Sequence, residues 1–215
     1  MSVKICGLNE QTGLEAALHG GASHVGFVFY PPSPRNVTVE QAAALSRLVP
    51  ASVERVGLFV NPDNALIRDA ISSANLSLLQ LHGSETPEQV ARIRAEFGVP
   101  VMKALRISDR DDLGDARTFM DVADWLLFDA KPPKGDKALP GGNGISFDWT
   151  LLEGFQSPIP WMLGGGLNVD NVAEAIRISG AHAVDVSSGV ERMPGQKDPA
   201  RISAFLSASQ AALRQ

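Results

Sequence analysis

Two residues that can transfer protons stand at the ends of short apolar segments in this sequence. Cys6 closes Val3–Cys6, and Asp129 closes Leu126–Asp129. A thiolate can take a proton from a carbon, and a neutral carboxyl group can give one to an oxygen. A lone buried cysteine is more often inert filling, whereas a buried aspartate is rare unless it is paired. Both residues are therefore candidates for acid–base chemistry, although Lys4 could instead be the salt-bridge partner of Asp129.

Further polar residues occupy comparable positions on other segments. Because side chains alternate along a strand, Gln80 and His82 should point to the same side as Lys4 and Cys6, and so should Asp185 and Ser187. Unpaired polar groups are costly inside a core, so their convergence predicts a bound polar ligand. The alternatives are a structural histidine at His82, a loop-fixing role for Asp185 and a scaffold role for Gln80.

Two glycine-containing segments could bind an anion. Gly164–Asn168 and Ser187–Gly189 each follow a predicted strand. Glycines let backbone N–H groups approach a phosphate closely, and a helix N-terminus adds favourable partial charge. The sequence has no P-loop and no Gly-x-Gly-x-x-Gly segment between a strand and a helix, and it has no metal-ligand spacing. We therefore expect a phosphate site with neither a metal ion nor another cofactor.

The elements that would position these groups repeat eight times as a short apolar strand, a polar turn and a helix. Capping boxes at Thr38–Gln41 and Thr86–Gln89 begin two helices, and Asn61-Pro62 and Asp198-Pro199 pair an oxygen-bearing cap with proline. Asn9 and Asn168 are predicted to cap the first and seventh helices. The predicted strands are Val3–Cys6, His24–Phe29, Arg55–Val60, Ser77–Leu81, Val101–Leu105, Trp125–Asp129, Ile159–Leu163 and Ala183–Val186.

Strict alternation of strand and helix predicts a parallel α/β sheet, and eight near-equal units favour its closure into a (β/α)₈ TIM barrel. The alternative is an open doubly wound sheet. The barrel would be a single domain over residues 1–215, with one long irregular stretch at Ala130–Ser146. Barrels of this kind carry their active site at the carboxyl ends of the strands and their phosphate site after strands seven and eight.

The composition excludes several classes of partner. A net charge of −5 does not suit a protein that coats nucleic acid or an anionic membrane. The single cysteine fits a reducing compartment, and the sequence begins with a strand rather than a secretory signal. We therefore expect a cytoplasmic protein that binds a small molecule.

The motifs resemble those of the phosphoribosylanthranilate isomerase family from the first strand to the last. They are Lys4–Leu8, Phe29–Arg35, Gln80–Gly83, Leu127–Asp129, Gly141–Gly144, Phe147–Trp149, Gly165–Asn168 and Asp185–Glu191. Three features depart from that pattern: Asn143 stands where threonine is more usual, Pro132–Pro140 is longer than usual, and Gly164 replaces alanine or serine. The departures bear on loop closure and affinity rather than on the reaction.

The resemblance implies an Amadori rearrangement of N-(5-phosphoribosyl)anthranilate in tryptophan biosynthesis, by a monomer or homodimer. It implies Cys6 as the general base and Asp129 as the general acid. It also implies that Arg35 binds the anthranilate carboxylate, alongside His82 and Asp185 as substrate-binding residues. The phosphate would be bound by Gly165, Gly166, Ser187 and Ser188.

This chemistry needs an acid that protonates the ring oxygen of the sugar and a base that removes a proton from the neighbouring carbon. Asp129 must then be neutral near pH 7, which burial favours, and Cys6 must be a thiolate. One alternative is the histidine-pathway isomerase, which needs a second phosphate cradle after strand three and a carboxylate in place of Cys6. The others are an indole-releasing lyase, which needs a catalytic glutamate, and a non-catalytic sugar-phosphate binding protein.

Overall fold

Eight parallel strands close into a barrel in the computed structural model, which describes residues 2–131, 141–142 and 144–214. Each strand pairs with the next along the chain, and β8 pairs with β1, so the predicted barrel is confirmed and the open sheet is excluded. The strands are β1 Ser2–Cys6, β2 His24–Phe29, β3 Glu54–Phe59, β4 Leu78–Leu81, β5 Val101–Ile107, β6 Trp125–Ala130, β7 Trp161–Leu163 and β8 Ala183–Val186. Strand β7 begins two residues later than predicted. Pro160 has no N–H for the ladder, although its carbonyl accepts from Leu126.

Seven α-helices cover the outside of the barrel in the described part of the chain. They are α1 Gln11–His19, α2 Val39–Ser46, α3 Asn64–Ala74, α4 Pro87–Phe97, α5 Arg110–Phe119, α6 Val172–Ser179 and α7 Pro199–Ala212. The prediction of a helix in every unit is not met by the described residues between β6 and β7, which form only a 3₁₀ turn, Trp149–Leu152. The turn ends at Glu153, whose ψ of 121° is not helical, and Gly154 follows in the left-handed region with φ of +71°. Pro132–Pro140 and Asn143, where two departures from the family pattern fall, lie outside the described residues.

The predicted helix caps are confirmed in part. Both capping boxes form on α2 and α4, and Asp198 caps α7. Helix α3 is capped by Asp63 instead of Asn61, whose side-chain oxygen accepts from Ser84. Asn9 donates to the carbonyl of Gly195 and does not cap α1. Asn168 does not cap the helix after β7, which is α6. Its side chain accepts from the amides of Asp170 and Asn171 in the turn before that helix.

The core has two layers, and both follow from the alternation of side chains along the strands. An outer layer between strands and helices contains Val3 and Ile5, as predicted. A smaller inner cluster contains Val56, Leu78 and Met102 among others. Within the described residues, no helix combines the length and the apolar character that crossing a membrane requires.

A buried histidine lies at the start of β2. His24 is 5% exposed, its Nδ1 atom lies 2.8 Å from the Ser23 hydroxyl, and its ring packs edge-on against Trp125. Burial, with a smaller contribution from the Lys4 ammonium group, lowers the pKa of His24 from 6.5 to about 4. The imidazole is therefore neutral in the folded protein at pH values where the unfolded chain would protonate it.

We expect this burial to make the protein sensitive to acid between pH 6.5 and 4. In that window the unfolded state binds the proton and the folded state does not, so stability falls as pH decreases. We expect His24 to lower the free energy of unfolding by about 2 kcal/mol when the pH falls from 7 to 5. Urea unfolding at both pH values should show a smaller difference for His24→Gln than for the wild type. Substitution of the exposed His19 is the matched control, and an unchanged pH difference in His24→Gln would contradict the assignment.

Candidate active site

All nine residues that the sequence assigns to the site line one pocket at the carboxyl ends of the strands. The empty space of the pocket is about 660 Å³ when the solvent in its open mouth is included. The nine residues are Cys6, Arg35, His82, Asp129, Gly165, Gly166, Asp185, Ser187 and Ser188. Their convergence depends on closure of the barrel, because they come from the ends of β1, β2, β4, β6, β7 and β8.

The sulfur of Cys6 lies near a buried ion pair. Lys4, fully buried, donates to Asp185 over 2.8 Å. The hypothesis that Lys4 pairs with Asp129 is therefore wrong: β8 is the hydrogen-bonded neighbour of β1, and its register places Asp185 opposite Lys4. Burial raises the pKa of the Cys6 thiol, while the Lys4 ammonium opposes that increase. Burial alone would lower the pKa of Lys4, but Asp185 and Cys6 outweigh it, so Lys4 keeps its positive charge.

Asp129 faces His82 across the pocket wall. Oδ2 of Asp129 lies 3.1 Å from Nε2 of His82, although not along the direction of a hydrogen bond, and its Oδ1 accepts from the amide of Ala130. Nε2 of Gln80 lies 2.9 Å from Nδ1 of His82. If the Gln80 amide donates there, Nε2 is the ring nitrogen of His82 that carries a proton, and it lies 3.1 Å from Asp129 without a hydrogen bond to it. His82 is thus oriented from one side by Gln80 and faces the carboxyl group on the other.

Arg35 is held by a buried carboxylate. Its Nε and Nη2 atoms donate to the two oxygens of Glu191 over 2.7 and 2.9 Å. Nη2 also donates to the carbonyl of Gly142 over 3.3 Å. The contacts with Glu191 use the Nε–Nη2 edge of the planar guanidinium group. A ligand carboxylate on the Nη1–Nη2 edge would replace the longer contact of Nη2 with Gly142.

The two glycine-containing segments lie against each other, as a phosphate cradle requires. Gly165 has a φ of +81°, and a side chain there would collide with the backbone of Ala130. A side chain on Gly189 would collide with the carbonyl of Leu167, so the loops after β7 and β8 approach as closely as their backbones allow. The Ser187 hydroxyl donates to the carbonyl of Cys6, which connects this cradle to β1.

Sequence reasoning missed part of the pocket. Its apolar wall is formed by Val28, Leu58, Val60 and Leu167, three of which are signalled by alternation along β2 and β3. Tyr30 and Ser33 complete the side from which Arg35 comes. Glu191 lies within a recognised motif but had no assigned role. No sequence signal indicates that it contacts Arg35.

Together these features define a class: a (β/α)₈ barrel enzyme whose polar pocket opens at the carboxyl ends of its strands. The sequence model of the N-(5'-phosphoribosyl)anthranilate isomerase family matches residues 3–208. The chain therefore belongs to the N-(5'-phosphoribosyl)anthranilate isomerase family.

Individual relatives agree with this family membership. The chain is 56% identical over 209 residues to the N-(5'-phosphoribosyl)anthranilate isomerase of Paramagnetospirillum magneticum, with 97% of each chain covered. It superimposes with a TM-score of 0.85 and 35% identity on a phosphoribosylanthranilate isomerase in complex with reduced 1-(o-carboxyphenylamino)-1-deoxyribulose 5-phosphate, covering 98% of this chain and 99% of that one. A structure of monomers generated from the dimeric enzyme of Thermotoga maritima gives a TM-score of 0.84 at 37% identity, again covering 98% and 99%.

Proposed function

We propose that this protein catalyses the Amadori rearrangement of N-(5'-phosphoribosyl)anthranilate to 1-(2-carboxyphenylamino)-1-deoxyribulose 5-phosphate in tryptophan biosynthesis. The observation that carries this proposal is the single pocket that holds Cys6, Asp129 and Arg35 beside two glycine-containing loops. A relative that is 35% identical binds a reduced form of the product, which supports the choice of substrate.

Asp129 and Cys6 act in sequence in the proposed mechanism. Asp129 acts as the acid and protonates the ring oxygen, so that the furanose opens to an iminium. Cys6, as a thiolate, then removes the proton from the adjacent carbon, and the resulting enolamine tautomerises to the ketone. Strands β1 and β6 are separated by β7 and β8 around the barrel, which supports the assignment of the two groups to different sides of a bound sugar.

The remaining residues hold the two charged ends of the substrate. Arg35 binds the anthranilate carboxylate through its Nη1–Nη2 edge. Backbone groups of the two loops bind the phosphate, through Gly165 and Gly166 after β7 and through Ser187 and Ser188 after β8. His82 and Asp185 also line the pocket, and we assign them to the sugar.

The direct test is a fluorescence assay with freshly generated phosphoribosylanthranilate. We expect the substrate signal to decay faster with the protein than without it. A protein preparation in which both Cys6 and Asp129 are replaced is the control for contaminating activity. Tight binding with no acceleration would indicate instead a sugar-phosphate binding protein.

The substrate of the histidine-pathway isomerase provides a second test, because it carries two phosphates instead of one. Its two phosphates need a second cradle after β3, whereas the loop at Val60–Asp63 contains no glycine and leads directly to the Asp63 cap of α3. We therefore propose a strong preference for the substrate with one phosphate, which the same assay measures by competition.

Substitution of Arg35 by lysine should weaken substrate binding more than it slows the chemistry. Lysine keeps the positive charge but cannot bind a carboxylate and Glu191 through two edges of one planar group. We expect KM to increase by roughly 10-fold or more, as for the loss of a charge-assisted hydrogen bond. Steady-state kinetics with wild-type protein as reference would measure this, and an unchanged KM would remove Arg35 from the carboxylate site.

The cellular context is part of the proposal. We place the reaction in the cytoplasm, catalysed without a cofactor by one barrel domain that spans residues 1–215. The single free cysteine is consistent with a reducing compartment. A monomer or a homodimer is expected, and light scattering would distinguish the two.

A further inference from the structure

A buried cluster of three charged residues, Arg35, Glu191 and Lys197, lies outside the proton-transfer groups. Glu191 starts a short strand, Glu191–Met193, that pairs with Gln196–Lys197 in a hairpin after β8. Its carboxylate accepts from Arg35 and also from Lys197, whose Nζ lies 2.8 Å from Oε1. Glu191 and Arg35 are each 5% exposed, and Lys197 is fully buried.

Stability alone does not account for this cluster. Desolvation of buried ions offsets most of their mutual attraction, so apolar residues of similar volume usually stabilise a core at least as well. Burial raises the pKa of Glu191, but Arg35 and Lys197 outweigh it, and the carboxylate is charged. A charged carboxylate that contacts Nε and Nη2 together fixes both the position and the plane of the guanidinium group.

Lys197 extends the same network to the other end of the pocket. Its Nζ donates to the carbonyl of Ser187 over 2.8 Å and lies 3.2 Å from the Ser187 hydroxyl. That hydroxyl donates in turn to the carbonyl of Cys6 over 3.1 Å. One buried cation therefore connects the carboxylate that holds Arg35 with the loop in which we place the phosphate.

We propose that Glu191, held in place by Lys197, is a positioning residue that fixes the guanidinium plane of Arg35 for the carboxylate of the substrate. This inference rests on the proposed function, because it assumes that Arg35 binds the anthranilate carboxylate. Glu191 itself is not among the residues that line the pocket. Glu191 therefore increases the affinity for ligands that have an ortho carboxylate on the aromatic ring.

The direction in which Glu191→Gln changes the affinity for the carboxylate distinguishes a positioning role from a purely electrostatic one. Glu191→Gln removes a negative charge beside Arg35, so a purely electrostatic role predicts tighter binding of an anionic carboxylate. Loss of positioning predicts weaker binding, because the bidentate contact between two charged groups is lost and the guanidinium can rotate. The two explanations therefore give opposite results for the same variant.

The experiment compares two stable ligands, the reduced product and the same compound without its carboxyl group. In the wild type we expect the carboxylated ligand to bind more tightly. In Glu191→Gln that preference should fall on the order of 10-fold, the effect of losing a hydrogen bond to a charged group. The affinity for the carboxyl-free ligand should change little, and KM should increase more than kcat decreases.

Two further variants keep the test decisive if Glu191→Gln folds poorly. Glu191→Gln combined with Lys197→Met removes one charge of each sign, and the preference should remain low. Glu85→Gln breaks another buried pair, in which Glu85 lies 2.7 Å from Lys103, and should lower stability without changing the preference. A preference that is retained or increased in Glu191→Gln would overturn the inference. A wild type that shows no preference would overturn both the inference and the carboxylate role of Arg35.

Discussion

Replacement of Cys6 by alanine is expected to lower kcat by roughly 10²–10⁴-fold while the protein keeps its affinity for the reduced product. Cys6 ends β1, is 3% exposed, and lines the same pocket as Asp129. In the proposed mechanism the sulfur removes the proton from the carbon next to the iminium. Alanine has no group that can do so, and it leaves the groups for the carboxylate and the phosphate intact. Stopped-flow kinetics and a binding titration would measure the two quantities separately.

A second variant tests whether the loss of activity in Cys6→Ala comes from the loss of a base or from altered packing. Cys6→Ser has nearly the same shape, but its hydroxyl does not ionise near neutral pH, so it should be as inactive as Cys6→Ala. In the wild type, burial raises the pKa of the thiol, and only the thiolate is a base. We therefore expect kcat/KM to increase with pH on the acid side of its profile. Near-wild-type turnover in either variant would exclude Cys6 as the base.

Most of the fold could be predicted because each strand–helix unit carries its own local signals. The capping boxes at Thr38 and Thr86 and the cap at Asp198 depend on residues only two or three positions apart. The cap prediction failed where two nearby residues could each cap a helix and a contact with a distant loop decided between them. Asn61, for example, accepts from Ser84 on the following loop, so the cap of α3 passes to Asp63.

The pocket lining was also largely predictable, because alternation along a strand is a local rule. Cys6, His82 and Asp129 all point where the period of two places them. The partners of these groups were not predictable. Lys4 and its partner Asp185 are 181 positions apart, and Arg35 and Glu191 are 156 apart. Only the closure of the barrel and the hairpin after β8 bring such residues together.

Substitution of Asp129 by asparagine should lower kcat by a similar factor, roughly 10²–10⁴-fold, again with the affinity for the reduced product retained. Asparagine has the shape of aspartate, so the contact region with His82 should change little. It has no carboxyl proton to transfer to the ring oxygen, so ring opening should become slow. Steady-state kinetics would measure the loss, and turnover close to that of the wild type would exclude Asp129 as the acid.

An isotope experiment distinguishes the two roles even though both variants lose activity to a similar extent. The substrate would carry deuterium on the carbon from which Cys6 removes the proton. In Cys6→Ala that proton transfer should limit the residual rate, so the deuterated substrate should react more slowly. In Asp129→Asn ring opening should limit the rate, and because no bond to deuterium breaks in that step, the isotope should have little effect. The reverse pattern would exchange the assignments, whereas equal isotope effects would mean that Cys6 and Asp129 act on the same step.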